Sequence, residues 1–430
     1  MQKIRNVAGS LRRVSLAAAL AVLPQVPASA ADLGGNCCAD LEERIAELEA
    51  TTARKGNRKV SLTVTGYVAQ EITWWDDGLE SNTYIHDLGP TQASNVRFLG
   101  KAQIAPGWDA GYLLRLQVLD ANPFGNTNQD IAQFNQGFNV QMSYWFVQSK
   151  DYGTVSVGRQ AHAAKSAAMF TDKSGTQIFD NYTFLDGFPN FFLNNDGVRT
   201  TYKWGQMGFC YTQGLPVGGD CNGIVMNGVR YDTPVFAGFT ASASWGEDDF
   251  WEVAARYSGE LSGFKVLLGV GYSEFTDEKI TAAVTGMTKK DATFFQAGGY
   301  IEHMASGLFV HGAYGHGDND GTIVSGLTPP EAEQWYVKAG IRQKWTPIGA
   351  TIVYGDYAEY LDQIGPTLLT AGATSSTLNR YGGGIAQEID AAAMTVYMKY
   401  QRYDGDVDGV AALDDIDTVD FVSMGAIINF

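Results

Sequence analysis

Few side chains in this sequence have the spacing that catalysis requires. No histidine lies near a G-x-S-x-G nucleophile motif, and the chain contains neither a P-loop nor the metal-binding pattern H-E-x-x-H. These residue types therefore argue against an enzyme, which we keep only as a rival class. The histidines in question are His86, His162, His303, His311 and His316.

One acidic segment has the spacing of a calcium-binding loop. Asp404, Asp406 and Asp408 alternate along the chain in the pattern D-x-D-x-D-G. Gly409 and Asp415 then stand at the sixth and twelfth positions of the motif. The twelfth position is normally Glu, and no flanking helices are expected. A plain acidic loop is therefore the favoured interpretation, with calcium binding as the alternative.

The four cysteines form two local pairs. Cys210 and Cys221 flank a glycine-rich segment, and a loop disulfide is the first choice there. Cys37 and Cys38 are adjacent. The sequence does not fix the connectivity. Zinc is not favoured, because no histidine accompanies either pair at ligand spacing.

The first thirty residues have the layout of a secretory signal peptide. A basic stretch ending at Arg13 precedes an apolar run, residues 14–23, and the cleavage pattern Ala28-Ser29-Ala30. A membrane anchor helix is the alternative, but the apolar run is too short to span a bilayer. We expect residues 1–30 to be removed and the mature chain to begin near Ala31.

The charge balance is strongly acidic. The whole chain carries −17, and residues 1–30 contain four basic and no acidic side chains, so the mature chain carries −21. A chain of this charge has little reason to bind nucleic acid. Its surface should attract cations, which predicts a weak preference for cations in any water-filled path through it.

From Val60 to Phe430 the chain alternates apolar and polar residues in short segments with no linker between them. Short turns alternate with long polar loops, and tryptophans gather at segment ends. These features favour an all-β fold, a closed antiparallel transmembrane β-barrel, over a soluble sandwich. We predict strands near 60–72, 94–104, 110–119, 138–149, 153–160, 196–204, 206–212, 223–232, 237–245, 251–258, 264–273, 292–303, 307–315, 334–345, 349–358, 380–390, 393–402 and 419–430.

Eighteen strands are therefore predicted, and weak patterns at 206–212 and 349–358 leave sixteen as the alternative. The barrel should occupy residues 60–430, preceded by a periplasmic segment, residues 31–59. Within that segment, Leu41, Ile45 and Leu48 step by four and three residues, which predicts a short helix over 40–51. It either clusters with its copies in an oligomer or packs on its own barrel; the spacing leaves both open.

The chain ends on an apolar strand face. Val422, Met424, Ala426, Ile428 and Phe430 take every second position. This resembles the terminal strand of outer-membrane proteins, whose last aromatic residue is read by the barrel-assembly machinery. The resemblance implies that Phe430 is an assembly signal.

Several stretches resemble trimeric porins. Residues 95–101 resemble the second porin strand, residues 153–160 the fifth strand, which feeds the long third loop, and residues 196–203 the sixth. Residues 37–44 and 58–67 look like the porins of rhizobial and related alphaproteobacteria. The resemblance covers essentially the whole mature chain. It implies a sixteen-stranded homotrimer in the outer membrane, in contact with lipid and lipopolysaccharide, without a cofactor.

The same resemblance implies a passive channel for small hydrophilic solutes and ions, narrowed by a third loop at about 161–195. Acidic loop residues would face basic wall residues across this constriction. The alternative is that these charges merely line a wet interior. The predicted constriction residues are Arg97, Arg115, Arg159, Arg199, Lys203, Asp172, Asp180, Asp186 and Asp196, with Arg159 the least clear because it shares the face of Val155 and Val157.

Six aromatic residues of the same loop allow two interpretations. They could form a track for sugars, which would make a substrate-specific channel. They could instead bury the loop against the barrel wall, which is the interpretation we favour because each ring gains most from losing water. The residues are Phe179, Tyr182, Phe184, Phe188, Phe191 and Phe192.

Overall fold

The computed structural model describes residues 59–89, 92–119, 127–132, 137–180, 189–208, 225–246, 250–276, 291–322 and 326–430. Its strands are β1 (Ser61–Asp76), β2 (Ser81–His86), β3 (Asn95–Ala105), β4 (Trp108–Leu119), β5 (Gly137–Ser149), β6 (Gly153–Ala161), β7 (Phe192–Asn195), β8 (Val198–Lys203), β9 (Val225–Asp232), β10 (Phe239–Gly246), β11 (Phe250–Leu261), β12 (Phe264–Phe275), β13 (Ala292–His303), β14 (Leu308–Asp318), β15 (Ala332–Thr346), β16 (Gly349–Leu361), β17 (Ser375–Ile389), β18 (Met394–Asp408) and β19 (Val419–Asn429). One short helix, α1 (Pro366–Ala371), lies between β16 and β17. Among the described residues, no helix is both long and apolar enough to cross a membrane.

The strands close into an antiparallel barrel. The seam joins the first and last strands, with β1 and β19 in register from Tyr67 opposite Asn429 to Asp76 opposite Asp420. A closed sheet has no free edge, so no backbone group along the wall is left without a partner in lipid. The predicted transmembrane barrel is confirmed, with both ends of the described chain at the rim of the short turns.

Two strands share one position in the wall. β1 pairs with β3 along Ser61–Tyr67 and with β2 along Glu71–Asp76. Between them the hydroxyl of Ser94 accepts a hydrogen bond from the Ala69 amide and donates one to the Ala69 carbonyl, at 3.0 and 3.1 Å. β2 and β3 therefore act as one interrupted barrel strand, and the described chain forms sixteen barrel strands.

Two of the eighteen predicted strands are wrong as barrel strands. The segment 196–204 does contain a strand, β8, but it pairs only with β7. Within 206–212, the described part turns instead of extending. β6 pairs directly with β9, from Thr154 opposite Asp232 to Ala161 opposite Val225, which leaves no room for a strand between them. The likeness of 196–203 to a sixth porin strand was therefore misplaced, whereas the weak prediction at 349–358 is confirmed as β16.

The two faces of the wall follow the predicted alternation. On β1, Val64, Val68 and Ile72 are exposed on the outside, whereas Glu71 and Thr73 are buried inside. Tryptophans stand exposed near both rims, as predicted for an aromatic belt; they include Trp74, Trp108, Trp245, Trp251, Trp335 and Trp345. Trp75 and Trp204 are exceptions, because both are fully buried inside the barrel. The predicted signal peptide, the helix over 40–51, Cys37, Cys38, Cys210 and Cys221 lie outside the described residues.

Candidate functional site

A segment that follows β6 runs back inside the barrel. This inner segment, residues 162–180, crosses the inner faces of several strands in turn. The Ala163 amide donates to the Ser244 hydroxyl on β10, at 2.9 Å, and the Ala168 amide donates to Gln296 on β13, at 2.7 Å. Farther along, the Lys399 ammonium on β18 donates to the Phe179 carbonyl at 2.7 Å. The inner segment therefore lies against the wall from β10 to β18.

Small residues on both sides permit this close approach. Ala163, Ala164, Ala167 and Ala168 of the inner segment are completely buried. A Cβ at Gly269 of β12 would stand 2.2 Å from the Ala167 carbonyl oxygen, and one at Gly298 of β13 would stand 2.6 Å from Ala168. Any side chain at these two glycines would push the segment off the wall.

A buried network of charges fixes the far end of the inner segment. Lys338 on β15 contacts the Asp172 carboxylate at 3.0 Å and donates to the Asp180 carbonyl at 2.7 Å. Arg380 on β17 contacts Asp180 at 3.4 Å and Asp356 at 2.6 Å. The four side chains of the two loop–wall pairs are essentially inaccessible to water.

Asp172 remains ionised in this network. Burial alone would raise the pKa of its carboxyl, but Lys338, His311 and the hydrogen bonds from Ser174 together hold that pKa below its ordinary value. An ionised, buried carboxylate is tolerable only because its counter-charge is in contact with it. The prediction that Asp172 and Asp180 face basic wall residues is thus right in kind. The partners are Lys338 and Arg380, not the arginines of β3 and β4.

Apolar packing fills the barrel on the same side. Phe179 stacks on Tyr397 with ring centroids 3.9 Å apart, and Phe191 packs edge-on against Trp75 at 5.0 Å. Both phenylalanines are almost completely buried, so these two rings pack the loop against the wall. Phe192 is partly buried, with the Lys203 ammonium 5.5 Å from its ring centre. Tyr182, Phe184 and Phe188 lie outside the described residues.

Open space remains on the opposite side of the barrel. The constriction cavity, of about 330 Å³, lies between the inner segment and the wall formed by β3, β4 and β5. Arg97 and Arg115 line it from the wall, and Lys165, Phe170 and Ile178 line it from the inner segment. Arg97 and Arg115 thus lie at the inner side of the wall, although neither faces Asp172 or Asp180, and their role in a constriction stays a prediction.

Two further cavities adjoin the constriction cavity. The β5–β6 cavity, of about 430 Å³, shares Met142 and Ala161 with it. The β10–β12 cavity, of about 590 Å³, shares Phe170 with it. The three cavities therefore lie next to one another along the inner segment.

Three predicted constriction residues instead hold the loops together at the rim of the long connections. Arg199 contacts the carboxylates of Asp77 and Asp130, each at 3.1 Å, and that of Glu80. Lys203 donates to Asn190 at 3.1 Å. The Asp196 amide donates to the Asp415 carbonyl at 2.9 Å. The misplaced strand accounts for all three corrections, because the hairpin β7–β8 packs on neighbouring loops and forms no part of the wall.

Arg159 lies on the outer face. It is exposed and pairs in register with Ser143 on β5 and Asn227 on β9, which are also exposed. Arg159 lies on the same outer face of the strand as Val155 and Val157, and it does not line the constriction. Asp186 lies outside the described residues, so its place in the constriction stays a prediction.

The acidic segment near the C-terminus does not form a calcium loop. Asp404, Asp406 and Asp408 belong to β18, where an extended backbone spreads them along one outward face instead of wrapping them around an ion. Asp415 belongs to the following loop and contacts Asn195. Among the described residues, no group of three or more His, Cys, Asp or Glu side chains could hold a metal ion.

Sequence reasoning missed the wall residues that hold the inner segment. Besides Lys338 and Arg380, they include Arg230, which donates to the Ala161 and His162 carbonyls at 3.0 and 3.1 Å. Arg256 donates to the Ala163 carbonyl at 2.7 Å. The available signal was that these residues occupy inward-facing positions in the alternation of predicted strands. Alternation does not tell which loop an inward side chain contacts.

The sequence matches a known protein family over most of its length. A family model described as Gram-negative porin matches residues 16–412. The chain belongs to the Gram-negative porin family. This porin is a barrel of the bacterial outer membrane and a passive diffusion channel; family and fold point to a non-enzymatic protein. No curated protein matches the chain.

Solved structures share the fold of this porin at low sequence identity. An anion-selective porin from Comamonas acidovorans aligns with a TM-score of 0.55 and 15% identity over 86% of this chain and 100% of its own. OmpT of Vibrio cholerae aligns with a TM-score of 0.53 and 12% identity over 88% and 99%. The channel DcaP of Acinetobacter baumannii aligns with a TM-score of 0.51 and 11% identity over 88% and 100%. At such identities, the likeness concerns the fold alone.

Proposed function

We propose that small hydrophilic solutes and ions cross this porin through the adjoining cavities between the inner segment and the wall from β3 to β6. The observation that carries the proposal is the division of the interior. Packed rings and buried ion pairs fill the β15–β19 side, whereas the β3–β6 side keeps open space that charged, polar and apolar side chains line together. A path lined this way lets a hydrated solute exchange water for polar side chains as it passes. Stepwise ohmic currents through single channels in planar lipid bilayers test this function directly.

A sugar-specific channel is the alternative that the aromatic loop residues suggested. A sugar track needs ring faces that are open to the passage. Phe179 and Phe191 offer none, since both are buried in packing contacts. These contacts support general diffusion over selection of sugars, and they equally give no support to a hydrolytic active site.

We propose that the channel assembles as a homotrimer. An arginine in the lipid-facing band of a barrel costs roughly 2–4 kcal/mol near the membrane midplane. Arg159 stands on that outer face next to exposed Ser143 and Asn227. A neighbouring subunit that covers this polar patch would remove the cost, which supports a protein interface at β5, β6 and β9.

The trimer is checked on semi-native gels of detergent-extracted protein. We expect an oligomer band that converts to monomer on heating. Arg159→Leu should lower the conversion temperature, because a leucine on the outer face tolerates lipid and gains less than an arginine from being covered by a neighbouring subunit. Arg402→Leu, at an outward position on β18, is the matched control and should leave it unchanged. Only monomer before heating, in the unmodified protein, would exclude the trimer.

Two finer assignments rest on the sequence. The likeness of residues 37–44 and 58–67 supports a place among rhizobial and other alphaproteobacterial porins. The terminal Phe430 supports insertion by the barrel-assembly machinery. Outward tyrosine–carboxylate pairs such as Tyr272 with Glu274 and Tyr400 with Asp420 suit the polar headgroup zone of lipid and lipopolysaccharide.

A further inference from the structure

We infer that the constriction of this porin selects for small anions, although the chain as a whole is strongly acidic. The inference rests on the proposed diffusion path and names the solute class that the path favours. It follows from which charges the fold pairs with a buried counter-charge and which it leaves lining an open cavity.

Two acidic side chains of the inner segment are buried against the wall and do not face the passage. Asp172 and Asp180 are buried against Lys338 and Arg380, with less than 2% of any of these side chains exposed. Each carboxylate is thereby matched by a cation in direct contact. Neither can attract a cation from the channel, because neither meets channel water.

The basic side chains of the opposite wall line the open cavity, where Arg97 is half-buried and Arg115 is largely buried. Arg97 on β3 and Arg115 on β4 are directly paired in register, and both line the constriction cavity. Like charges at directly opposite positions repel each other. Lys165 adds a third positive charge from the inner segment. Among the described residues that line this cavity, these three are the charged ones, and none is acidic.

One adjoining cavity continues the same sign. Lys173 and Arg256 line the β10–β12 cavity, and no acidic residue is among its described lining. The β5–β6 cavity is balanced instead, because Arg230 pairs with Asp232 at 2.7 Å and Lys101 pairs with Asp109 at 3.0 Å. The positive field therefore extends from the constriction toward β10–β12.

A narrow passage lined by charges of one sign concentrates ions of the opposite sign. Fixed charges act over a Debye length of about 8 Å at physiological salt, and low-dielectric walls focus their field. Paired guanidinium groups also offer several fixed N–H donors to carboxylate or phosphate oxygens. The acidic residues of β18, by contrast, face outward. Selectivity should follow the charges of the constriction and not the net charge, so the weak cation preference predicted from composition is replaced by a preference for anions.

Reversal potentials in a KCl gradient across planar bilayers test this inference. We expect the unmodified channel to prefer chloride at low salt, and the preference to fade as salt rises. A unit charge at contact distance in water changes a local ion concentration by roughly fivefold. Arg97→Gln and Arg115→Gln should each lower the chloride-to-potassium permeability ratio by up to about that factor, and the double variant should lower it further.

Three variants make the result specific. Arg97→Lys with Arg115→Lys keeps both charges and should retain the chloride preference. Lys165→Gln probes the same field from the inner segment if the double glutamine variant does not assemble. Arg402→Gln removes an outward-facing charge that is paired with Asp420 at 2.7 Å and should not change selectivity.

The outcomes separate this inference from the proposed function. Open channels that prefer potassium, or glutamine variants with unchanged selectivity, would overturn the anion preference while leaving the channel intact. Absence of any current through the unmodified protein would overturn the proposed function itself.

Discussion

Replacing Lys338 with methionine is expected to release the inner segment from the wall. The substitution leaves Asp172 as a buried charge without its ammonium partner, and breaking a buried pair in this way costs about 3–5 kcal/mol. The barrel strands do not depend on this contact, so we expect the cost to appear as local detachment of residues 162–180. Hydrogen exchange of that segment should accelerate, and single channels should become larger and noisier.

The same strand supplies the control for this prediction. Lys344 forms an ion pair with Asp390 at 2.9 Å, but both side chains are more than half exposed. Exposed pairs contribute only about 0–1 kcal/mol, so Lys344→Met should leave hydrogen exchange and conductance close to those of the unmodified protein. Adding Asp172→Asn to Lys338→Met removes the unpaired buried charge. It should restore part of the protection of residues 162–180 against hydrogen exchange. Unchanged exchange in Lys338→Met would mean that the buried pair does not hold the segment.

Deleting Phe430 is expected to reduce the amount of barrel in the outer membrane severely. The terminal residue closes the seam through two backbone hydrogen bonds with Gly66, each at 3.0 Å, and its ring lies over that glycine. Two such bonds are worth roughly 1 kcal/mol each, which is too little to unfold a barrel of sixteen strands. A severe loss would therefore report on recognition during assembly and not on stability of the finished barrel.

Two measurements test this prediction: the amount of the deletion variant in the outer membrane, and its thermal stability after refolding in detergent. Phe430→Tyr is the matched control, because it keeps both the aromatic ring and the seam. We expect it to reach the outer membrane in a nearly normal amount. A normal level in the deletion strain would refute the assembly-signal role. Equal losses of level and of refolded stability would indicate a structural role instead.

The fold was predictable to the extent that side-chain alternation determines it. Alternation identified the inward face of several barrel strands, including Arg97 on β3 and Arg115 on β4, because lipid and water select opposite residue types at successive positions. It failed at 196–204, since a hairpin that packs on loops alternates in the same way as a strand in the wall. Pairing partners, and not the pattern itself, distinguish the two.

The site was less predictable, for a physical reason. Asp172 meets Lys338 across 166 positions of sequence, and nothing in the sequence near either residue specifies that contact. Assigning the loop carboxylates to the arginines of β3 and β4 therefore chose the right charge type but the wrong wall. The net charge is also a poor guide to the sign of selectivity, because it averages over outward and loop carboxylates that do not face the passage.

Single-channel recording of the purified, unmodified protein in planar lipid bilayers is the decisive measurement for the proposed path between the inner segment and the wall from β3 to β6. For a passive, water-filled path we expect stepwise current increments that rise linearly with voltage and that appear without any energy source or cofactor. A folded protein that inserts into the bilayer and yet gives no current steps, or that shows hydrolytic activity in their place, would exclude such a path.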